Sequence, residues 1–288
     1  MSVRRDAAAW DIGGRVLQAP GRPLVMGIVN LSPDSFHPGS RRLAPEAAAD
    51  TALAMFAAGA DLVDLGAESS RPGSEPVGTA EELRRLLPAL AEIRARTDRP
   101  VSVDTTRAET ARAALDAGAD AVNDITAGTH DPEMLALAAG YGCGLVLMHM
   151  RGTPATMQHD PHYDDVVAEV GDYLAVRAAA AEDAGVARER IVVDPGIGFG
   201  KTLGHNLRLL AALPAVAGDR SLLVGASRKR FIEFLTGAPV QARLPGSLAA
   251  AALAQRAGAA VVRVHDVAET VQFLKVLAAI DAETHTAD

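Results

Sequence analysis

The stretch Ala58-Gly59-Ala60-Asp61-Leu62-Val63-Asp64-Leu65-Gly66 reads as the end of a helix, a tight joint and a short β-strand. Glycine adopts the left-handed conformation that closes a helix, and the run Asp61–Gly66 behind it has the length and apolar character of a buried strand. The joint returns as Ala117-Gly118-Ala119-Asp120, with a variant at Ala257–Ala260, so one αβ unit repeats along the chain. Eight strands of this kind run along the chain: Leu24–Val29, Asp61–Gly66, Val101–Val103, Ala121–Asn123, Leu145–Met148, Ile191–Val193, Leu222–Gly225 and Val261–Val264. Between them lie Ala- and Leu-rich stretches of helical period, among them Pro45–Ala58, Ala80–Thr97, Ala108–Ala117 and Tyr163–Ala184, several of which close at a glycine (Gly59, Gly118, Gly185, Gly258). Strands that alternate with helices form a parallel sheet with helical crossovers. Eight such units predict an α/β fold, a (β/α)8 TIM barrel with its active site at the C-terminal ends of the strands.

Length and composition fit that reading. The chain has 288 residues, 49% hydrophobic and 22% charged, enough apolar surface for a large core and within the range of one α/β barrel domain. No linker or low-complexity tract divides it, so residues 1–23 are expected to form an N-terminal approach segment, 24–280 the barrel and 281–288 a polar tail. The net charge of −8 argues against a nucleic-acid binder, which needs a dense cationic face. Residues 1–10 hold charges but no apolar signal core, and no apolar run is long enough to span a membrane. The single cysteine, Cys143, lies in an apolar run and suits a reducing compartment. A cytoplasmic protein is therefore expected.

The strand ends are the informative places. In order they carry Asn30, then Glu68-Ser69-Ser70-Arg71-Pro72-Gly73, Asp104, Asn123-Asp124, His149, Asp194, Ser227-Arg228-Lys229 and Arg263-Val264-His265. A barrel directs all of these toward one mouth. Arg263 and His265 are two apart, so strand period places them on one face.

The set Asn30…Pro33-Asp34-Ser35-Phe36, Glu68–Gly73, Asp194-Pro195-Gly196-Ile197-Gly198-Phe199-Gly200-Lys201, Ser227-Arg228-Lys229 and Arg263-Val264-His265-Asp266-Val267 closely resembles the dihydropteroate synthases, in order and in strand position, over about residues 24–280. The resemblance implies an enzyme of folate biosynthesis, a transferase that condenses (7,8-dihydropterin-6-yl)methyl diphosphate with 4-aminobenzoate to give 7,8-dihydropteroate and diphosphate. It implies that Asp104, Asn123 and Asp194 hold the pterin, whose edge of N–H donors and acceptors suits carboxylates and an amide. Arg263 and His265 then bind phosphate, Lys229 contacts the pterin and lines the amine's channel, Phe199 walls that channel, and Ser70 contacts the pterin diphosphate. Asn30 is implied as a ligand of Mg2+, which keeps few protein ligands at phosphate sites. Arg71, in a Pro/Gly-bounded loop, and the loop after Asn30 are expected to cover the reaction. Of these, Arg71, Lys229, Arg263 and His265 are the candidate catalytic residues. A homodimer is implied too, with the Ala-rich segment Ser247–Ala257 as one candidate surface.

Two positions depart from the family pattern. Eight residues after Asn30 the family usually has Asp, in Ser-Asp-Gly-Gly, where this chain reads His37-Pro38-Gly39-Ser40. Arg230 follows Lys229 where a small hydroxyl residue is common. The glycine-rich run ending Gly200-Lys201-Thr202 is not a phosphate loop, because Pro195 stands where that motif needs glycine. Asp124 is expected to be structural, His149 to face the mouth or pack, and His159 and His162 to sit in a solvated loop. The altered first loop keeps two alternatives in view: a pterin-binding paralogue without synthase activity, and a methyl-folate-binding methyltransferase domain.

Overall fold

The structure, a computed structural model, describes residues 9–31, 45–69, 74 and 77–284. Eight parallel strands close into a barrel: β3 (Leu24–Asn30), β4 (Leu62–Gly66), β5 (Val101–Asp104), β6 (Ala121–Asp124), β7 (Gly144–Met148), β8 (Ile191–Asp194), β9 (Ser221–Val224) and β10 (Val261–Val264). Each pairs with its neighbours in chain order, and β10 closes on β3 with Val261 opposite Leu24. Helices α1 (Pro45–Ala57), α2 (Thr79–Arg94), α3 (Ala108–Asp116), α4 (Met134–Tyr141), α5 (Val166–Asp183), α6 (Leu203–Ala211), α7 (Leu213–Ala217), α8 (Arg230–Thr236), α9 (Leu244–Arg256) and α10 (Val267–Thr284) surround it. The barrel, its strand boundaries to within a residue, and the helical crossovers agree with the sequence reading.

The repeated joint has a physical role at both ends. Gly59 (φ 100°) and Gly118 (φ 97°) take left-handed backbone, and the amides of Ala60 and Ala119 turn back to the carbonyls of Met55 and Ala114 at 2.9 Å. The aspartate that follows then holds the neighbouring strand. Asp61 Oδ2 accepts the Val25 N–H at 2.7 Å and pairs with Arg22; Asp120 Oδ2 accepts the Val101 N–H at 2.8 Å and pairs with Arg94. The joint thus ends a helix and registers the next strand pair.

Strand period divides the barrel's side chains into two sets. Val25, Val29, Val63, Leu65, Val101, Val103, Val122, Leu145, Leu147, Ile191, Val193, Leu222, Val224, Val262 and Val264 pack outward under the helices in the main core. The alternate positions face inward, where Leu24, Met26, Leu62, Ala121, Val146, Val192, Leu223 and Val261 fill the floor. One period further along β4, β6, β8 and β10, the same face carries Asp64, Asn123, Asp194 and Arg263. The floor is apolar and the layer above it is charged.

A short antiparallel hairpin, β1 (Ala9–Asp11) and β2 (Val16–Gln18), plugs the floor from below. Trp10 is fully buried within the inner core, and its indole Nε1 donates to the Arg190 carbonyl at 2.9 Å. Gly144 makes room for it, since a Cβ there would lie 2.9 Å from the Trp10 ring and 2.6 Å from Ile12. Among the described residues no helix is long and apolar enough to cross a membrane.

Candidate active site

The charged layer is joined across the barrel by one guanidinium. Arg263, on β10, donates from Nε to Asp64 Oδ2 at 2.6 Å and from Nη2 to Asp104 Oδ2 at 3.0 Å. Asp64 Oδ2 also accepts Asn123 Nδ2 at 3.0 Å. Three predicted residues, Asp104, Asn123 and Arg263, therefore meet in one network. Its centre is Asp64, a residue that the reading of strand ends passed over.

Burial sets the electrostatics. Asp104 is lifted above the ordinary carboxylate range by burial; Arg263 pulls it back and the Asp64 charge pushes it further up. Burial alone would loosen the Arg263 proton, but Asp64 and Asp104 outweigh it and hold the group firmly cationic.

Asp194 ends β8 beside this network. It is 5% exposed, accepts the Gly196 N–H at 2.7 Å, and is raised by burial while Lys229 draws it back. Gly225 separates it from Arg263: a Cβ there would sit 3.6 Å from Asp194 Oδ2 and 3.9 Å from Arg263 Cβ. Lys229, which precedes α8, donates to the Ile197 carbonyl and lies 4.5 Å from the centre of the Phe199 ring. Burial lowers its ammonium to about 8, with Asp194 opposing that loss. Phe199 and Lys229 thus form one half-buried wall next to the Asp194 carboxylate.

The remaining predicted residues fall as follows. Asn30 ends β3 half-buried; a Cβ on the adjacent Gly66 would be 3.8 Å from Asn30 Oδ1 and 3.8 Å from Asp104 Oδ2. His265 follows β10, and both its backbone N–H (3.2 Å) and ring Nδ1 (3.1 Å) meet Ser227 Oγ. Arg230 is exposed and stacks on Phe234. Asp124 has a structural role, accepting from Thr126 N, Thr126 Oγ1 and Gly128 N at 2.7 Å each. Ser70 and Arg71, together with the first-loop residues 32–44 that include Asp34, His37 and Pro38, lie outside the described residues.

Lys201 is the second residue whose place was not read from the sequence. It is 3% exposed, burial pushes it well below the ordinary lysine range, and its Nζ meets three acceptors: His149 Nδ1 at 2.9 Å, the Phe199 carbonyl at 2.9 Å and the His149 carbonyl at 3.3 Å. Burial and the nearby Lys201 charge push His149 down to about 3, so the ring is neutral and its Nδ1 can accept. The loop carrying Phe199 is held by successive carbonyls: Ile197 by Lys229, Gly198 by Gln158, Phe199 by Lys201 and Gly200 by the Tyr163 hydroxyl. Lys201→Met strips donors from three buried acceptors, each costing about 1–3 kcal/mol when left unpaired. Thermal denaturation should show a fall in Tm of at least roughly 5 °C, at about 2–4 °C per kcal/mol for a chain of this size.

The family described as pterin binding enzyme matches residues 26–265. The dihydropteroate synthase of Escherichia coli is 45% identical over 258 residues, 89% of this chain and 91% of that one. That of a Synechocystis species is 44% identical over 261 residues, covering 90% of each. The chain belongs to the dihydropteroate synthase family, transferases of folate synthesis. The crystal structure of the family member from Xanthomonas albilineans with 4-aminobenzoic acid superposes with a TM-score of 0.89 at 46% identity, over 96% of this chain and 99% of that one. The same organism's synthase in complex with 7,8-dihydropteroate gives a TM-score of 0.85 at 44% identity, over 95% of this chain and 99% of that one. A dihydropteroate synthase must seat a pterin, an arylamine and a diphosphate at one barrel mouth. The Asp104–Asn123–Arg263 network, Asp194 and the Phe199–Lys229 wall lie together at the C-terminal ends of this member's strands.

Proposed function

We propose that the chain condenses (7,8-dihydropterin-6-yl)methyl diphosphate with 4-aminobenzoate at the barrel mouth, with the roles below. The observation that carries these roles is the cross-barrel placement of Arg263 between two carboxylates, beside Asp194 and the Phe199–Lys229 wall. Asp194 and Asp104 accept pterin N–H groups and stabilise the positive charge that spreads into the ring as the exocyclic C–O bond breaks. Asn123 supplies its amide oxygen to the same edge. Arg263 and His265 face the departing diphosphate, and Lys229 and Phe199 place the amine for attack on the methylene. No covalent enzyme intermediate is needed; Arg71 and Ser70 are assigned to loop closure and diphosphate contact.

Asn30 suits a hard cation. Its half-buried amide oxygen ends a strand beside a glycine, the oxygen chemistry Mg2+ takes, and diphosphate oxygens and water would complete the ligand set. When bound, Mg2+ neutralises and orients diphosphate.

Lys229 gives a pH dependence with a definite sign. Its ammonium is lost as pH rises through about 8, so kcat/KM should fall on that alkaline limb. Lys229→Arg, which stays charged, should move the limb upward. A pH profile of both proteins checks this.

The outer helices support a homodimer. Ser247, Ala250, Ala251 and Ala254 of α9 face inward, but Leu253 of the same helix is 48% exposed, with Phe234 and Leu235 of α8 and Val276 and Ile280 of α10 exposed nearby in the sequence of helices. Large apolar side chains left exposed on three consecutive helices support a protein interface. Light scattering after gel filtration should give twice the 29.8 kDa chain mass. The protein is placed in the cytoplasm, in keeping with its one buried, unpaired cysteine. Formation of dihydropteroate from the two substrates tests the reaction itself; tight pterin binding without product would favour the non-catalytic paralogue that Pro38 suggests.

A further inference from the structure

Asp64 lies at the middle of an apolar strand, Leu62-Val63-Asp64-Leu65-Gly66, and is fully buried. An apolar side chain of similar size would serve stability as well or better, since burying a charge costs more than its pairing usually returns. The cost is visible, because Asp64 Oδ1 is buried with no partner among the described residues. What the carboxylate does accomplish is done by Oδ2. That one oxygen accepts from Arg263 Nε at 2.6 Å and from Asn123 Nδ2 at 3.0 Å, two groups that come from opposite sides of β4.

We propose that Asp64 is a positioning residue for pterin diphosphate recognition: it fixes the amide of Asn123 so that Oδ1 is the ligand's acceptor, and it fixes the guanidinium of Arg263 edge-on to the ligand. An ionised carboxylate only accepts, so the Asn123 amide cannot flip without placing oxygen against oxygen. Asn123 is therefore read by the ligand as an acceptor. On Arg263, Nε is taken by Asp64 and Nη2 by Asp104, and among the described residues Nη1 has no acceptor. The fork is held in one plane with that edge left for an anionic or carbonyl oxygen of the ligand. Asp64 sets specificity for a ligand with a donor opposite Asn123 and an acceptor opposite Arg263, while it touches neither Phe199 nor Lys229.

This inference rests on the proposed function, and the test keeps the two apart by measuring binding before turnover. Calorimetric titration of wild type and Asp64→Asn with (7,8-dihydropterin-6-yl)methyl diphosphate and Mg2+, without amine, is followed by steady-state kinetics. The amide lacks the charge that holds Arg263 and is no longer an acceptor only, so Asn123 is free to flip; binding of the pterin diphosphate should weaken at least tenfold, with the KM for 4-aminobenzoate within about twofold of wild type. A purely structural role would move both substrates together or neither. Should Asp64→Asn not fold by circular dichroism, Asp64→Glu carries the test, since it keeps the charge but shifts the carboxylate by one methylene, and the same one-sided loss is expected. Equal binding by wild type and variant, or parallel losses for both substrates, overturns the positioning role alone. Failure of wild type to bind the pterin diphosphate overturns the proposed function, and the positioning role with it.

Discussion

Asp194→Ala is expected to lower kcat/KM by roughly a thousandfold, about 4 kcal/mol of transition-state stabilisation, with the protein still folded. The size follows from where the carboxylate sits. It is 5% exposed, at the end of β8, with its Oδ1 fixed by the Gly196 N–H and the Lys229 charge close by. A preorganised charge in a dry site acts on developing charge with little solvent screening. Alanine removes it without opening the apolar floor, which is built one strand period below by Val192. Steady-state kinetics with a circular dichroism melt check both halves. A variant retaining more than about a tenth of the wild-type rate would show that pterin charge is stabilised elsewhere.

Arg263→Ala has the second large effect, and it falls on both activity and stability. The side chain that faces the diphosphate is lost, at a cost of about 10²–10³ in rate. Asp64 and Asp104 are left facing each other without their shared cation, which for a buried pair costs about 3–5 kcal/mol. The pH dependence has a fixed sign. Arg263 lowers the Asp104 carboxyl, so removing it raises that group further above its unfolded value. The folded variant then binds an extra proton that the unfolded chain releases, and its stability declines as pH rises from the ordinary carboxylate range. Urea denaturation at pH 5.5 and pH 8 should therefore show a larger deficit against wild type at the higher pH. A deficit equal at both values would mean that Asp104 is already neutral in the wild-type protein.

Much of this site could be read from the chain because a barrel converts one-dimensional order into one mouth. Asp104, Asn123, Asp194 and Arg263 end separate strands in the sequence, and closure brings them together. Asp64 was harder to see, since its meaning depends on Arg263, 199 residues away, and a lone acid in a short apolar strand has no local partner. Strands buried on both faces also lack the polar alternation that would tell inside from outside. The same limit hid the role of Lys201, whose three acceptors come from the turn after β7 and from its own loop. The hairpin β1–β2 was missed for another reason: each strand is only three residues long, and its stability comes from Trp10 and Ile12 packing under the barrel. The repeated Ala-Gly-Ala-Asp joint was recognised as a pattern, but its second role, holding the neighbouring strand through Asp61 and Asp120, required the strand order.

Pro38 stands where the resemblance leads one to expect an acid in the first loop, so turnover by this chain is the property to measure. The decisive measurement is to incubate the purified protein with Mg2+, (7,8-dihydropterin-6-yl)methyl diphosphate and 4-aminobenzoate, and to quantify dihydropteroate and diphosphate together, with Asp194→Ala alongside. Both products should form in equal amounts, with Asp194→Ala making them roughly a thousandfold more slowly; saturable binding of the pterin substrate by the wild-type protein with neither product formed would rule out the synthase reaction.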